Sequence, residues 1–225
     1  MRSPKSAGRI VGILLLAHLV SGLMTPYIII QPLTRSLPFT AGDLPNSFRV
    51  RLAVMLLLAS AALVIAITVT AWPILRAHSR ALALWVLALA AANFALQCVE
   101  NAGYMTLFTF RQEYASAIQP DMAIYNVVDR AVRTAWKWGH YTHLLMMVSW
   151  MSVLFAAFWK SALVPRVLAA LAVLATLLQI TGITLPQFLA YPPPPPMLVA
   201  LPLAFAYAAM SVWLMAKGFP ADERS

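Results

Sequence analysis

Six apolar stretches, each about as long as a membrane is thick, decide what this chain can fold into. They cover residues 10–30, 52–75, 81–104, 139–159, 167–187 and 197–216. At a rise of ~1.5 Å per residue, roughly 20 residues of helix cross a hydrocarbon layer ~30 Å deep. No water is present there to hydrogen-bond the backbone, so a spanning segment closes its own hydrogen bonds, as a helix does. Composition agrees. Of the 225 residues, 62% are hydrophobic and 10% charged, against ~45–50% and ~25% in soluble domains. That leaves too little polar surface to coat a water-soluble core, and it excludes a disordered chain, a collagen or a coiled coil. The sequence therefore predicts an all-α polytopic membrane protein. Residues 1–225 form one six-helix transmembrane domain in contact with the lipid bilayer.

The net charge of +9 is spread through the connections without a continuous basic stripe. That pattern fits lipid headgroups and argues against a nucleic-acid partner. Cys98 is the only cysteine, which leaves no disulfide framework within the chain and no multi-cysteine zinc site. Arg2, Lys5 and Arg9 precede the first stretch as in a secretory signal. The stretch is too long for one and no small-residue cleavage site follows, so it is expected to stay as a span. With both termini cytoplasmic, nine Lys and Arg fall inside and seven outside, several of the seven in one long connection. Long loops count for less. The expected placement is a bacterial inner membrane with both ends in the cytoplasm.

Two connections are more than turns. Residues 105–138 form an outer loop in which Ile124, Val128, Ala131, Ala135 and Trp138 recur at helical spacing. Asn126, Arg130, Arg133 and Lys137 mark the opposite side. This predicts a short amphipathic outer surface helix over about 120–138, lying at the headgroups or packed over the bundle mouth. The five prolines at 192–196 predict a stiff, extended linker between spans five and six.

The segments RIVGILLLAHLVSGL (residues 9–23), NSFRVRLAVMLLL (46–58) and FWKSALVPRVLAAL (158–171) carry a resemblance. In order and spacing the chain resembles a bacterial family of six-helix membrane proteins known only as a domain of unknown function. The resemblance implies the six-span architecture and carries no activity with it. The long outer loop, the proline run and the histidines of span four do not match a family pattern.

Polar groups inside spans are costly and therefore informative. Of seven carboxylates only Glu100 lies in a span. Asn93, Gln97, Glu100, Asn101 and Tyr104 stand at offsets that share one helical face. His18, Ser21, Gly22 and Thr25 share a face of span one, His140 and His143 lie one turn apart on span four, and Gln179 sits on span five. Counting from the inner boundary at ~1.5 Å per residue places Glu100, His140, His143 and Thr25 in one outer layer, with His18 about 12 Å below His143.

Three readings stand side by side. In one, His140, His143 and Glu100 bind a single divalent metal, zinc or iron, and Met146 and Met147 would suit copper. In another, Glu100 and His143 are an acid–base pair acting on a hydrophobic small molecule, with Gln97, Asn101, Thr25, Gln179 and His18 as binding residues. In the third, the same groups hydrogen-bond between helices in a scaffold, or in a small subunit beside partner membrane subunits. Haem held through His18 or His143 alone fits the first class. A retinal Schiff base does not, because Lys137, Lys160 and Lys217 all sit at span boundaries.

Overall fold

The computed structural model describes residues 3–25, 46–118, 121–189 and 196–220. Six helices carry the chain: α1 (Pro4–Thr25), α2 (Ser47–His78), α3 (Arg80–Ser116), α4 (Met122–Lys160), α5 (Arg166–Phe188) and α6 (Pro196–Lys217). All six are long and apolar enough to cross a membrane. The end of the expected first span (26–30) and the proline run as far as 195 lie outside the described residues; Pro196 opens α6.

Each helix packs chiefly on its neighbours in sequence, and α6 returns to α1, so the six close into a ring. Short connections gather at one end of that ring. Ser79 both ends α2 and starts α3: its N–H donates to the Leu75 carbonyl, and its hydroxyl accepts from the Leu82 N–H. That single residue satisfies orphan groups of two helices. Gly218, at φ +71°, ends α6 in the left-handed conformation that glycine tolerates best. Beside it the GxxxG spacing Gly8–Gly12 lets α1 approach α6 closely. A Cβ at Gly8 would collide with the backbone of Gly218 and Phe219, and one at Gly12 with the Ser211 carbonyl and the Met215 N–H.

The half of the ring next to these connections is filled by a continuous apolar core. Val11, Leu15, Val64, Ile67, Val86, Trp150, Phe155, Phe158, Tyr207 and Leu214 are all buried in it. The other half is built differently. Helices α2, α3 and α4 have 32, 37 and 39 residues against 22 or 23 for α1, α5 and α6. At ~1.5 Å per residue the three long helices overhang the rest by roughly 15–25 Å.

This overhang corrects the expected loop. Residues 105–116 continue α3, and the stretch expected as a separate surface helix is the first part of α4 itself. Asp121 caps it, accepting from the Ala123 and Ile124 N–H groups. Its apolar side is not the packed one. Ile124, Val127, Val128 and Trp138 are exposed, whereas Asp129 is buried between Arg111 of α3 (3.5 Å) and Arg133 one turn on (2.6 Å). Val50, Leu107 and Phe108, with Met105 and Val132 against them, give the overhang a small core of its own. Pairing the Asp129 carboxylate across the hairpin sets which side of α4 turns inward.

Candidate functional site

On α3 the offsets read from the sequence put five side chains on one buried face: Asn93, Gln97, Glu100, Asn101 and Tyr104. A carboxylate at such a position needs partners, because an unpaired buried charge is strongly destabilising. Glu100 finds two on α4. The Nδ1 of His140 lies 2.6 Å from Oε1, and the Nδ1 of His143 lies 2.5 Å from Oε2. The two histidines are one helical turn apart, so a single carboxylate spans both rings. A carboxylate only accepts, so each imidazole donates through Nδ1, and a neutral ring then keeps its lone pair on Nε2. The His140 ring is further held flat against the Trp136 indole, with centroids 5.5 Å apart and planes at 17°. Trp136 in turn leans on Tyr104.

These groups line a cavity of about 680 Å³ to which all six helices contribute walls. Its polar members include Glu100, His140, His143, Gln97 and Gln179, with Lys137 and Tyr141 among the residues nearest the overhang. Leu57, Leu144, Met147, Met151, Ile183 and Leu203 make much of the remainder apolar. A concave, mostly apolar space with a few convergent polar groups is the ordinary form of a small-molecule site.

His18 departs from its expected depth. Helix α1 starts at Pro4, six residues before the expected boundary, which raises His18 by about 9 Å relative to the estimate from sequence. It lines the same cavity as His143, its Nδ1 2.9 Å from the Tyr207 hydroxyl of α6 and its ring edge-on to Trp150. Trp150 donates from Nε1 to the Thr68 hydroxyl at 3.0 Å, closing the floor against the packed half.

Two of the expected binding residues, Gln97 and Asn101, hydrogen-bond to each other. Asn101 donates to the Val54 carbonyl (3.1 Å), tying α3 to α2, and accepts from Gln97 Nε2 (3.0 Å), which reaches Glu100 Oε2 more weakly at 3.5 Å. Thr25 ends α1 with its side chain outside the described residues. Tyr207 and Trp136 carry site geometry that the sequence did not single out. The signal for Tyr207 was a tyrosine deep in a span, four residues from Leu203 and Ser211 on one face. As for a metal, among the described residues no group of three or more His, Cys, Asp and Glu side chains is arranged to hold an ion. Glu100, His140 and His143 do converge, as a hydrogen-bonded trio in which both carboxylate oxygens face imidazole Nδ1 atoms.

The profile of a domain of unknown function, DUF4386, matches residues 10–218, which is nearly the whole chain. The chain belongs to this family. The matched segment begins within α1 and ends at Gly218 beyond α6, so it takes in α2 to α6, all of α1 but its first six residues, the cavity and the overhang. Comparison with curated proteins and with solved structures finds no match in either.

Proposed function

We propose that this DUF4386 protein takes a lipophilic molecule from the membrane into its cavity and performs acid–base chemistry on a polar group of it. One observation carries the reading: a single buried carboxylate engages two imidazoles through Nδ1, which presents two Nε2 lone pairs as bases or hydrogen-bond acceptors. In this arrangement Glu100 is the positioning residue, setting the orientation and tautomer of both rings, as second-shell carboxylates do for histidines generally. His143 is the catalytic base and His140, stacked on Trp136, its partner at the cavity wall. The apolar wall residues favour a substrate that partitions into lipid. The setting we propose is a bacterial inner membrane, both termini cytoplasmic, with the cavity toward the outer leaflet.

A scaffold role has one supporting observation, the contacts Asn101 to Val54 and Ser21 to Ser60 (2.8 Å) between neighbouring helices. Those residues lie beside the Glu100 trio, and the trio's own bonds join only α3 and α4, which already pack along their length. The test is to incubate the purified protein in nanodiscs with a bacterial lipid extract and follow the extract by mass spectrometry. The expected result is one species bound or converted by the wild type, with conversion about 10²–10⁴-fold slower in Glu100→Gln and His143→Ala. Identical lipid profiles for all three proteins would contradict the reading. Elemental analysis of the same samples decides whether His140 and His143 hold zinc, iron or copper through Nε2.

A further inference from the structure

The cavity holds a second polar layer, deeper than the Glu100 trio. Asn93 lies thirteen residues along α3 from Arg80, Gln179 thirteen along α5 from Arg166, and His18 fourteen along α1 from Pro4. All three therefore stand about 20 Å from the short-connection end of the ring. Glu100 and His140 are each twenty residues from the corresponding ends of α3 and α4, about 30 Å along. Asn93 precedes Glu100 by two helical turns on the same face, so the layers are about 10 Å apart.

What distinguishes the deeper layer is that its amides lack partners. Asn93 is 1% exposed, lines the cavity, and its Oδ1 has no hydrogen-bond partner among the described residues. Oε1 of Gln179, which lines the cavity from α5, likewise has no hydrogen-bond partner among the described residues. An unmet acceptor in a span is destabilising, and two at one depth in one cavity are not explained by helix packing. Neither amide bridges helices as Asn101 does.

We propose that Asn93 and Gln179 form a deep binding subsite for a hydroxyl group, and that the ligand of this cavity is a lipophile with hydroxyls near both ends of a roughly 10 Å apolar stretch. The proposal deepens the function proposed above and rests on the same cavity. The chemistry selects the group. A buried ammonium would need a counter-charge, and neither amide supplies one. A carbonyl or ether accepts only, and leaves the Asn93 and Gln179 oxygens unmet. A hydroxyl donates to one amide oxygen and accepts from the other amide's N–H, whichever way each amide is turned. At the upper layer a second hydroxyl donates to an imidazole Nε2, the position from which a base would remove its proton. The apolar residues between the layers by the same count, among them Leu19, Ala61, Leu144 and Ile183, match the hydrocarbon between the two ends.

The test compares octane-1,8-diol with octan-1-ol, which has the same chain and one hydroxyl fewer, by calorimetry on protein in phosphatidylcholine nanodiscs with empty discs subtracted. The wild type is expected to bind the diol about 10-fold more tightly, the value of one hydrogen bond at a buried site. Asn93→Leu and Gln179→Met are each expected to reduce that preference to about 2-fold or less while leaving octan-1-ol affinity in place. Because both substitutions remove an unmet acceptor, they leave the melting temperature unchanged or raise it. Equal affinity of the wild type for the two probes overturns the subsite and leaves the cavity reading standing. So does a preference that survives both substitutions, or a lower melting temperature in both variants, which marks the amides as packing residues. Failure of both probes to bind removes the cavity reading and the subsite with it.

Discussion

The two halves of the ring are made from the same six helices and solve opposite problems. Next to the short connections, apolar side chains from all six helices fill the interior, and the Trp150 indole N–H has its partner in Thr68. Toward the overhang the helices enclose a cavity lined by a carboxylate, three imidazoles and two amides with unmet oxygens. Close packing makes the first half the source of stability. Unfilled volume and unmet polar groups make the second half a net cost, which the proposed ligand would offset. A protein selected for bundle stability alone would have extended the first solution along the whole ring.

Substitutions that break this contrast rank as follows. Trp150→Ala, at the floor between the halves, removes the largest fully buried side chain and is expected to cost about 3–5 kcal/mol. Thermal unfolding in detergent with a tryptophan-independent probe measures it. Asp129→Ala takes from Arg111 and Arg133 the carboxylate they share. A loss of about 3 kcal/mol is expected there, read as faster hydrogen exchange over residues 105–135 with α1 and α6 unaffected. Gly12→Leu forces α1 away from α6 and should destabilise the packed half by about 2 kcal/mol, visible as a lower unfolding midpoint without loss of ligand selectivity. Glu100→Gln has the smallest expected effect on folding, under about 1 kcal/mol, because an amide both donates and accepts and one imidazole can change tautomer to meet it. Its effect on chemistry is the large one.

The sequence was most informative where the physical rule was strict. Spanning helices follow from the length of apolar runs, and the buried face of α3 follows from helical periodicity, so Gln97, Glu100, Asn101 and the pair His140 and His143 were legible together. Depth was less so. Counting from an apolar boundary at Ile10 ignored that Ser3 accepts from the Ser6 N–H and starts α1 at Pro4, and this separated His18 from a cavity it lines. The side of α4 that turns inward was left open by the sequence for a different reason. Apolar spacing puts Ile124, Val128 and Trp138 on one side, at the headgroups or over the bundle mouth, and no local pattern shows that Arg111 will face Asp129 and turn the other side inward. Nor does a single sequence reveal that Asn101 finds a carbonyl while Asn93 does not.

The contrast between the halves is tested most directly by the unfolding midpoint of Glu100→Gln beside that of the wild type in the same detergent. If the polar half is built for a ligand, the midpoint of the variant stays within about 3 °C of the wild type or rises. If instead it falls by as much as in Trp150→Ala, the Glu100 trio holds the bundle together and the cavity is not the reason for its polarity.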